Sequence, residues 1–190
     1  MFALGIDPGV SRCGYGVVER GPAGYRAVVA GVITTPPADP LPGRLASLLR
    51  ELTDLIAQHR PDVVVVERVF FQTNVRTAMS VGQASGLALA AAATAGCEIV
   101  QYTANEVKQS VTGYGAATKE QVQRMVQSLL SLPTVPKPPD VADALALALC
   151  HLAVAPRLAR IAEASASATA TATSASASAS AASATRTVAR

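Results

Sequence analysis

The stretch Phe2-Ala3-Leu4-Gly5-Ile6-Asp7-Pro8-Gly9 predicts a buried apolar strand that ends in one carboxylate and a sharp turn. Pro8 lacks the N–H that a strand partner needs, and Gly9 tolerates left-handed backbone angles, so the strand should end there. An unpaired charge on Asp7 would be costly at the end of a buried strand. Asp7 therefore either meets a cation or simply begins the turn.

Composition separates the chain into two parts. Residues 164–185 of the 190 are only Ala, Ser and Thr, and such a segment has no large apolar side chain to offset its ordering entropy. We therefore expect one domain over residues 1–160 and a low-complexity, disordered tail over residues 161–190. A domain of that size can bury a substantial core.

The remaining bulk properties limit the functional class. No apolar run reaches the length that spans a membrane, and the N-terminus shows no secretory signal, so we expect a cytoplasmic protein. Cys13, Cys97 and Cys150 are scattered without metal-ligand spacing, and we expect small core residues rather than disulfides. A net charge of +3 and a pI near 9.0 permit a polyanionic partner.

The first half of the chain predicts a meander followed by a helix and a parallel strand. Strands over Cys13–Glu19 and Tyr25–Thr34 have short connections, which favours antiparallel pairing with the first strand. Val63–Val66 is β-branched without alternation, as in a strand covered on both faces. The intervening helix has an apolar stripe at helical spacing, made of Leu41, Leu45, Leu48, Leu49, Leu52, Leu55 and Ile56.

The second half predicts helices around one more strand. A small-residue segment over 74–95 carries Gly82 and Gly86 on one face, which fits either close packing on the sheet or a dimer seam. A strand over Glu98–Tyr102 follows, and capping-box spacings start helices at Thr103 and Thr118. The inward residues of the second of these helices are predicted to be Val122, Met125, Val126, Leu129 and Leu130. The last helix should cover about 140–154, which completes a mixed-sheet α/β arrangement.

Four carboxylates follow strand ends or begin the last helix. Asp7 and Glu67 end apolar strands, where α/β sheets place ligands, and Asp140 and Asp143 lie three residues apart on one helical face. Capping explains one aspartate at a helix start, but a second on the same face is less well explained. Carboxylates without neighbouring His or Cys favour hard cations such as Mg²⁺ or Mn²⁺, which can assist phosphoryl displacement.

The ordered motifs resemble RuvC-type Holliday-junction resolvases of the ribonuclease H-like superfamily over about residues 1–155. They are Gly5-Ile6-Asp7-Pro8-Gly9, Gly14-Tyr15-Gly16, Glu67-Arg68-Val69-Phe70, Gly82-Gln83-Ala84, Val107-Lys108-Gln109 and Asp140-Val141-Ala142-Asp143-Ala144-Leu145-Ala146. The resemblance implies a five-stranded mixed sheet flanked by helices, and a homodimer that nicks opposed strands of a four-way DNA junction in recombination and repair. It also implies that Asp7, Glu67, Asp140 and Asp143 hold Mg²⁺, for which Mn²⁺ can substitute, and that a branch-migration complex of the RuvA–RuvB type is a partner.

The same resemblance implies DNA contacts beside the acids. Phe70 matches a residue that stacks on an unpaired base near the crossover, while core burial is the alternative for Phe70 or its neighbour. Lys108 and Lys119 match residues that contact the DNA backbone, and Arg68 and Arg76 flank the region. Each basic residue could also be an ordinary solvated charge.

Three other functions compete with this interpretation. Another nuclease of the superfamily would share the acids but lack the Phe70 and basic constellation. An ATP-binding protein of the actin and sugar-kinase type also opens with an acidic, glycine-containing turn, but the chain is too short for its duplicated domains. A non-catalytic junction-binding scaffold would be expected to lack one acid, and all four are present.

Overall fold

The computed structural model describes residues 1–68, 75–156 and 160, and within them five strands form one mixed sheet. The strand order is β3-β2-β1-β4-β5, with β1–β2 and β2–β3 antiparallel and β1–β4 and β4–β5 parallel. This confirms the predicted α/β architecture. The strands are β1 Phe2–Asp7, β2 Arg12–Gly21, β3 Gly24–Thr34, β4 Val63–Glu67 and β5 Glu98–Tyr102.

Helices cover both faces of the sheet. Both predicted capping boxes are present: the side chains of Thr103 and Thr118 accept hydrogen bonds from the backbone N–H groups of Glu106 and Gln121, and those two side chains bond back. The helices are α1 Leu41–His59, α2 Val75–Thr94, α3 Ala104–Thr112, α4 Lys119–Leu129 and α5 Pro139–Pro156.

The sheet separates two apolar clusters. On one face, α1 and α2 pack on the large β1 and β4 side chains, and on the other α5 crosses the same strands. Of the described helices, α5 alone is long and apolar enough to pass a test for membrane spanning, yet 61% of it is buried within the protein, as expected of a core helix. The compact unit that holds the sheet covers Met1–Ala153. The expected boundary at residue 160 and the disordered tail stay predictions, since residues 161–190 lie outside the described part.

Two amphipathic stripes are narrower than their sequence patterns predicted. In α4, Met125 and Leu129 are exposed, because the helix packs through a single seam that includes Val122 and Val126. In α1, Leu48, Leu52 and Ile56 form the buried row, spaced four residues apart, so Leu41 and Leu49 fall outside it and are exposed. The prediction that Met125 and Leu129 point inward was wrong, and Leu41 and Leu49 belong to the predicted stripe but are not packed.

Candidate active site

Asp7 and Glu67 lie side by side at the ends of two parallel strands. Ile6 pairs with Val66 in the β1–β4 register, so the next residue of each strand is one of these acids. Side chains alternate along a strand, which puts both acids on the face that α5 covers. The predicted meeting of the two strand-end carboxylates is therefore present.

Glycines on that face let α5 approach the strand backbone. Gly14 pairs with Asp7 and Gly16 with Gly5 across the β1–β2 ladder, so these positions share one face. A Cβ added at Gly5 would overlap the carbonyl oxygen of Ala144, and one at Gly14 would overlap that of Asp140. The first turns of α5 thus rest directly on β1 and β2, and this close contact brings Asp140 and Asp143 to Asp7.

Neighbouring carboxylates affect the ionisation of Asp7 and Glu67. The pKa of Asp7 is raised to about 7, first by burial and then by the charges of Asp143, Glu67 and Asp140, in that order of importance. Burial also raises the pKa of Glu67, with Asp143 as the second cause. The site therefore concentrates negative charge that its own surroundings do not fully offset.

Two basic side chains offset part of this charge. Arg12 donates from Nη2 and Nε to one oxygen of Asp140, at 2.7 Å and 3.2 Å, and this bond holds the pKa of Asp140 below its usual value. Lys119 Nζ lies 3.4 Å from Asp143 Oδ2, and the Asp143 charge raises the pKa of the lysine. Asp140 and Asp143 are thus already paired with cationic side chains.

A cleft of about 170 Å³ contains the chemistry-bearing residues. Asp7, Glu67 and Asp143 line it together with Lys108 and Lys119, as the sequence predicted, while Asp140 lies outside the lining and pairs with Arg12. The rest of the wall is apolar and comes from three helices, with Ala104, Val107, Val122, Ala146 and Leu147. The cleft thus combines acidic and basic side chains with an apolar surface.

The remaining predicted DNA contacts have different outcomes. Arg68 is exposed, and its Nη2 donates to the carbonyl oxygen of Gln101 at 3.1 Å, at the carboxyl end of β5 next to the cleft strands. Phe70 lies outside the described residues, as does the side chain of Arg76. Their roles stay predictions.

The donor set fits a hard divalent cation, although its members are not in coordinating positions. Within residues 1–68 and 75–156, no three His, Cys, Asp or Glu side chains are grouped closely enough to hold a metal ion as they stand. The converging donors are all carboxylate oxygens, and the raised pKa of Asp7 marks a partly buried charge that Lys119 offsets only in part. A divalent cation would supply that compensation once Asp140 and Asp143 turn from their basic partners.

Sequence reasoning missed two features of the site. Arg12 lies five positions after Asp7 and is the first residue of β2, so proximity to the motif was its only signal. Gly5, Gly14 and Gly16 stand in the quoted motifs, and their alternate spacing around a strand pair indicates a flat face for a closely packed helix. That signal was available, but its partner helix was not identifiable from sequence.

Comparisons with known proteins agree over the whole described core. A family model described as crossover junction endodeoxyribonuclease RuvC matches residues 3–151. The protein of that name from Salinispora arenicola is 55% identical over 153 residues, covering 80% of this chain and 87% of the relative. The one from Chloroflexus aggregans is 51% identical over 160 residues, covering 84% and 98%.

Solved structures give the same result. Thermus thermophilus RuvC in complex with Holliday junction substrate superposes with a TM-score of 0.77 at 38% identity, covering 82% of this chain and 94% of that one. The yeast mitochondrial Holliday junction resolvase Ydc2 superposes with a TM-score of 0.60 at 14% identity, covering 80% and 78%, which shows a shared fold.

Proposed function

The chain belongs to the RuvC family of crossover junction endodeoxyribonucleases, and we propose that it resolves four-way DNA junctions by paired hydrolysis of phosphodiester bonds. The observation that carries this proposal is the cleft shared by Asp7, Glu67, Asp143 and two lysines. Carboxylates bind divalent cations and lysines bind DNA phosphates, so the same cleft can bind both the metal ion and the DNA strand.

Nucleases of this family use a divalent metal ion, and we assign Mg²⁺, with Mn²⁺ as a substitute, to Asp7, Glu67, Asp140 and Asp143. When bound, the ion supplies a Lewis acid that offsets negative charge as the phosphodiester is hydrolysed. Water attacks phosphorus in line with the departing 3′ oxygen.

The protein's own groups hold the DNA strand for this attack. Lys119 and Lys108 bind phosphates on the rim of the cleft, and the apolar wall limits the access of bulk water. Arg68, Arg76 and Phe70 contact the DNA next to the scissile strand, with the Phe70 ring stacking on an exposed base.

The catalytic proposal is tested with Asp7→Asn, which keeps the size of the side chain and removes one ligand charge. Cleavage of a labelled four-way junction in Mg²⁺ should fall by about 10³-fold or more, because the variant loses a charged ligand of an assisting ion. Junction binding without metal should persist or tighten, since one repulsion against phosphate is gone. Asp54→Asn, an exposed position on α1, is the matched control and should cut at the parental rate. Parental cleavage by Asp7→Asn would overturn the carboxylate–metal mechanism.

We also propose that two copies of the chain form the working enzyme through the outer face of α2. The buried row of α2 consists of Ala84, Ala88, Ala91 and Ala92. An added Cβ at Gly82 or Gly86 would meet no atom of the described residues within 4 Å, and Met79 beside them is 61% exposed. Close packing within the described part of the chain therefore does not explain the two glycines. A dyad between two sites would match the pseudo-twofold symmetry of the junction.

Sedimentation provides the test of this dimer. The parent should sediment as a dimer at micromolar concentration, and Gly86→Arg should shift it to monomer without lowering helix content. A parent that stays monomeric would contradict the dimer while leaving the cleft chemistry intact.

We further propose a cytoplasmic location and a cellular partner, a branch-migration complex of the RuvA–RuvB type. Adding purified RuvA and RuvB with ATP should change the rate of junction cleavage. An unchanged rate together with no co-sedimentation would count against this partnership.

A further inference from the structure

Arg12 holds the one carboxylate of the four that lies outside the cleft lining. Both Nη2 and Nε point to the same oxygen of Asp140, so a single Oδ2 accepts two charge-assisted hydrogen bonds. The Arg12 side chain is 50% exposed and that of Asp140 24%. The pair thus lies at the surface of the site, where a charged strand of DNA can reach the guanidinium.

This ion pair and a metal ion make competing demands on Asp140. A cation needs the charge and a lone pair of the carboxylate, and Arg12 offsets that charge and occupies the lone pairs of Oδ2, so that only Oδ1 is left to accept a cation. The contact of Lys119 with Asp143 is a single long one, at 3.4 Å, so Arg12 is the stronger of the two internal competitors. The charge that Arg12 brings also reduces the attraction of the whole acidic group for cations.

DNA offers Arg12 an alternative partner of the same geometry. A backbone phosphodiester accepts a guanidinium in the same forked manner as a carboxylate and carries the same single negative charge. Exchanging Asp140 for phosphate requires only a side-chain movement, because Arg12 is the first residue of β2 and its side chain is half exposed. The exchange would leave Asp140 free for the cation at the moment the strand is in place.

We propose that Arg12 is a positioning residue that couples metal loading to DNA binding, by holding Asp140 in the free protein and releasing it when a backbone phosphate takes the guanidinium. This inference rests on the proposed function. It makes metal and junction mutually favourable ligands, and by linkage each strengthens the other by the same factor. DNA-free protein consequently binds the metal weakly, and the metal site is completed only when a DNA strand occupies the cleft.

The first test measures Mn²⁺ binding to DNA-free protein by electron paramagnetic resonance of the unbound ion. Arg12→Gln should bind Mn²⁺ about three- to tenfold more tightly than the parent, the range of a well-formed ion pair at a partly exposed site. Arg12→Lys, which keeps the charge but loses the fork, should fall between them. Arg26→Gln, which breaks the exposed Arg26–Glu19 pair on β3 and β2, is the matched control and should match the parent.

The second test measures the coupling itself. Junction affinity is determined at fixed ionic strength with and without Ca²⁺, a divalent ion with the same preference for oxygen ligands. Calcium should improve junction binding by a smaller factor in Arg12→Gln than in the parent and in Arg26→Gln. Circular dichroism and melting temperature check that each variant is folded.

The outcomes separate this inference from the proposed function. Equal or weaker Mn²⁺ binding by Arg12→Gln, in a parent whose Mn²⁺ binding is lost in Asp7→Asn, would overturn the role of Arg12 and leave the metal site standing. A parent whose Mn²⁺ binding does not depend on Asp7 would overturn the proposed metal site, and this inference with it.

Discussion

On one face of the sheet β1 presents Leu4 and Ile6, and on the other it presents Ala3 and Gly5. The large side chains pack into α1 and α2, whereas the small ones let the backbone of α5 lie against the strand. One strand thus stabilises the domain with the first face and sets the distance between catalytic acids with the second. Substitutions on the two faces should consequently affect different measurements.

The largest effect on stability is expected on the α1 face. Leu52 is fully buried there, and Leu52→Ala should lower the free energy of unfolding by about 2–5 kcal/mol, from lost burial plus the cavity left behind. Urea denaturation measures this change. Cleavage per folded molecule, measured well below the melting temperature, should stay at the parental value.

Leu49→Ala is the matched control for that prediction, since Leu49 belongs to the same helix and is 37% exposed. Its effect on unfolding should stay within about 0.5 kcal/mol. A large loss of cleavage in folded Leu52→Ala would show that the α1 face also shapes the site, and the proposed division of roles would fail.

The α5 face should respond in the opposite way. An added Cβ in Gly14→Ala overlaps the carbonyl of Asp140, so the first turn of α5 must move and carry both aspartates with it. Displacements of about 1 Å can lower catalytic rates by about 100-fold. We therefore expect cleavage to fall by about that factor, while the unfolding free energy falls by only about 1–3 kcal/mol.

Gly21→Ala tests whether the effect belongs to the site rather than to β2 in general. Gly21 lies in the same strand, and an added Cβ there meets no atom within 4 Å among the residues that the structure describes. Its cleavage rate should equal that of the parent. If Gly14→Ala cuts junctions normally, the close approach of α5 is not what positions Asp140 and Asp143.

The structural features that depend on residues close together in the sequence were predicted correctly. The Thr103 and Thr118 capping boxes and the unalternating Val63–Val66 strand follow from spacing within a few residues, and the structure contains all of them. Met125 and Leu129 were misplaced because a helical pattern shows which residues share a face but not how wide a seam the partner helix leaves. The apolar stripe of α4 is wider than the surface available to cover it.

In the candidate active site, the sequence indicated which residues to consider but not how they are arranged. Strand ends and a helix start identified the four acids, but their relation to one another depends on contacts across the whole chain. The Arg12–Asp140 pair joins residues 128 positions apart, and nothing near either residue indicates the other. The ion pair of Asp140 with Arg12 forms because Gly5 and Gly14 let α5 lie against the sheet. The three-dimensional structure is therefore needed to identify it.

The smallest predicted effect is the pH dependence of stability that results from the Asp7 carboxylate under α5. The pKa of Asp7 is raised from 3.8 in the unfolded chain to about 7, so its contribution to stability is full below pH 3.8 and is lost as pH rises through about 7. In metal-free protein, Asp7→Asn removes this loss, because the amide has no charge to bury. We expect the variant to be more stable than the parent at pH 8 by about 1–2 kcal/mol, a few degrees in melting temperature, and the difference to shrink toward pH 4.

Calorimetric scans with a chelator present measure this difference. Asp54→Asn, at an exposed position on α1, is the control and should show no gain in stability at pH 8. Saturating Mg²⁺ should reverse the order by stabilising the parent alone, since binding to the folded state raises its stability. If Asp7→Asn is less stable than the parent at pH 8 without metal, the Asp7 charge is compensated within the protein. The proposed contrast between the face of the sheet under α1 and α2, which stabilises the domain, and the face under α5, which holds the acids, would then be wrong.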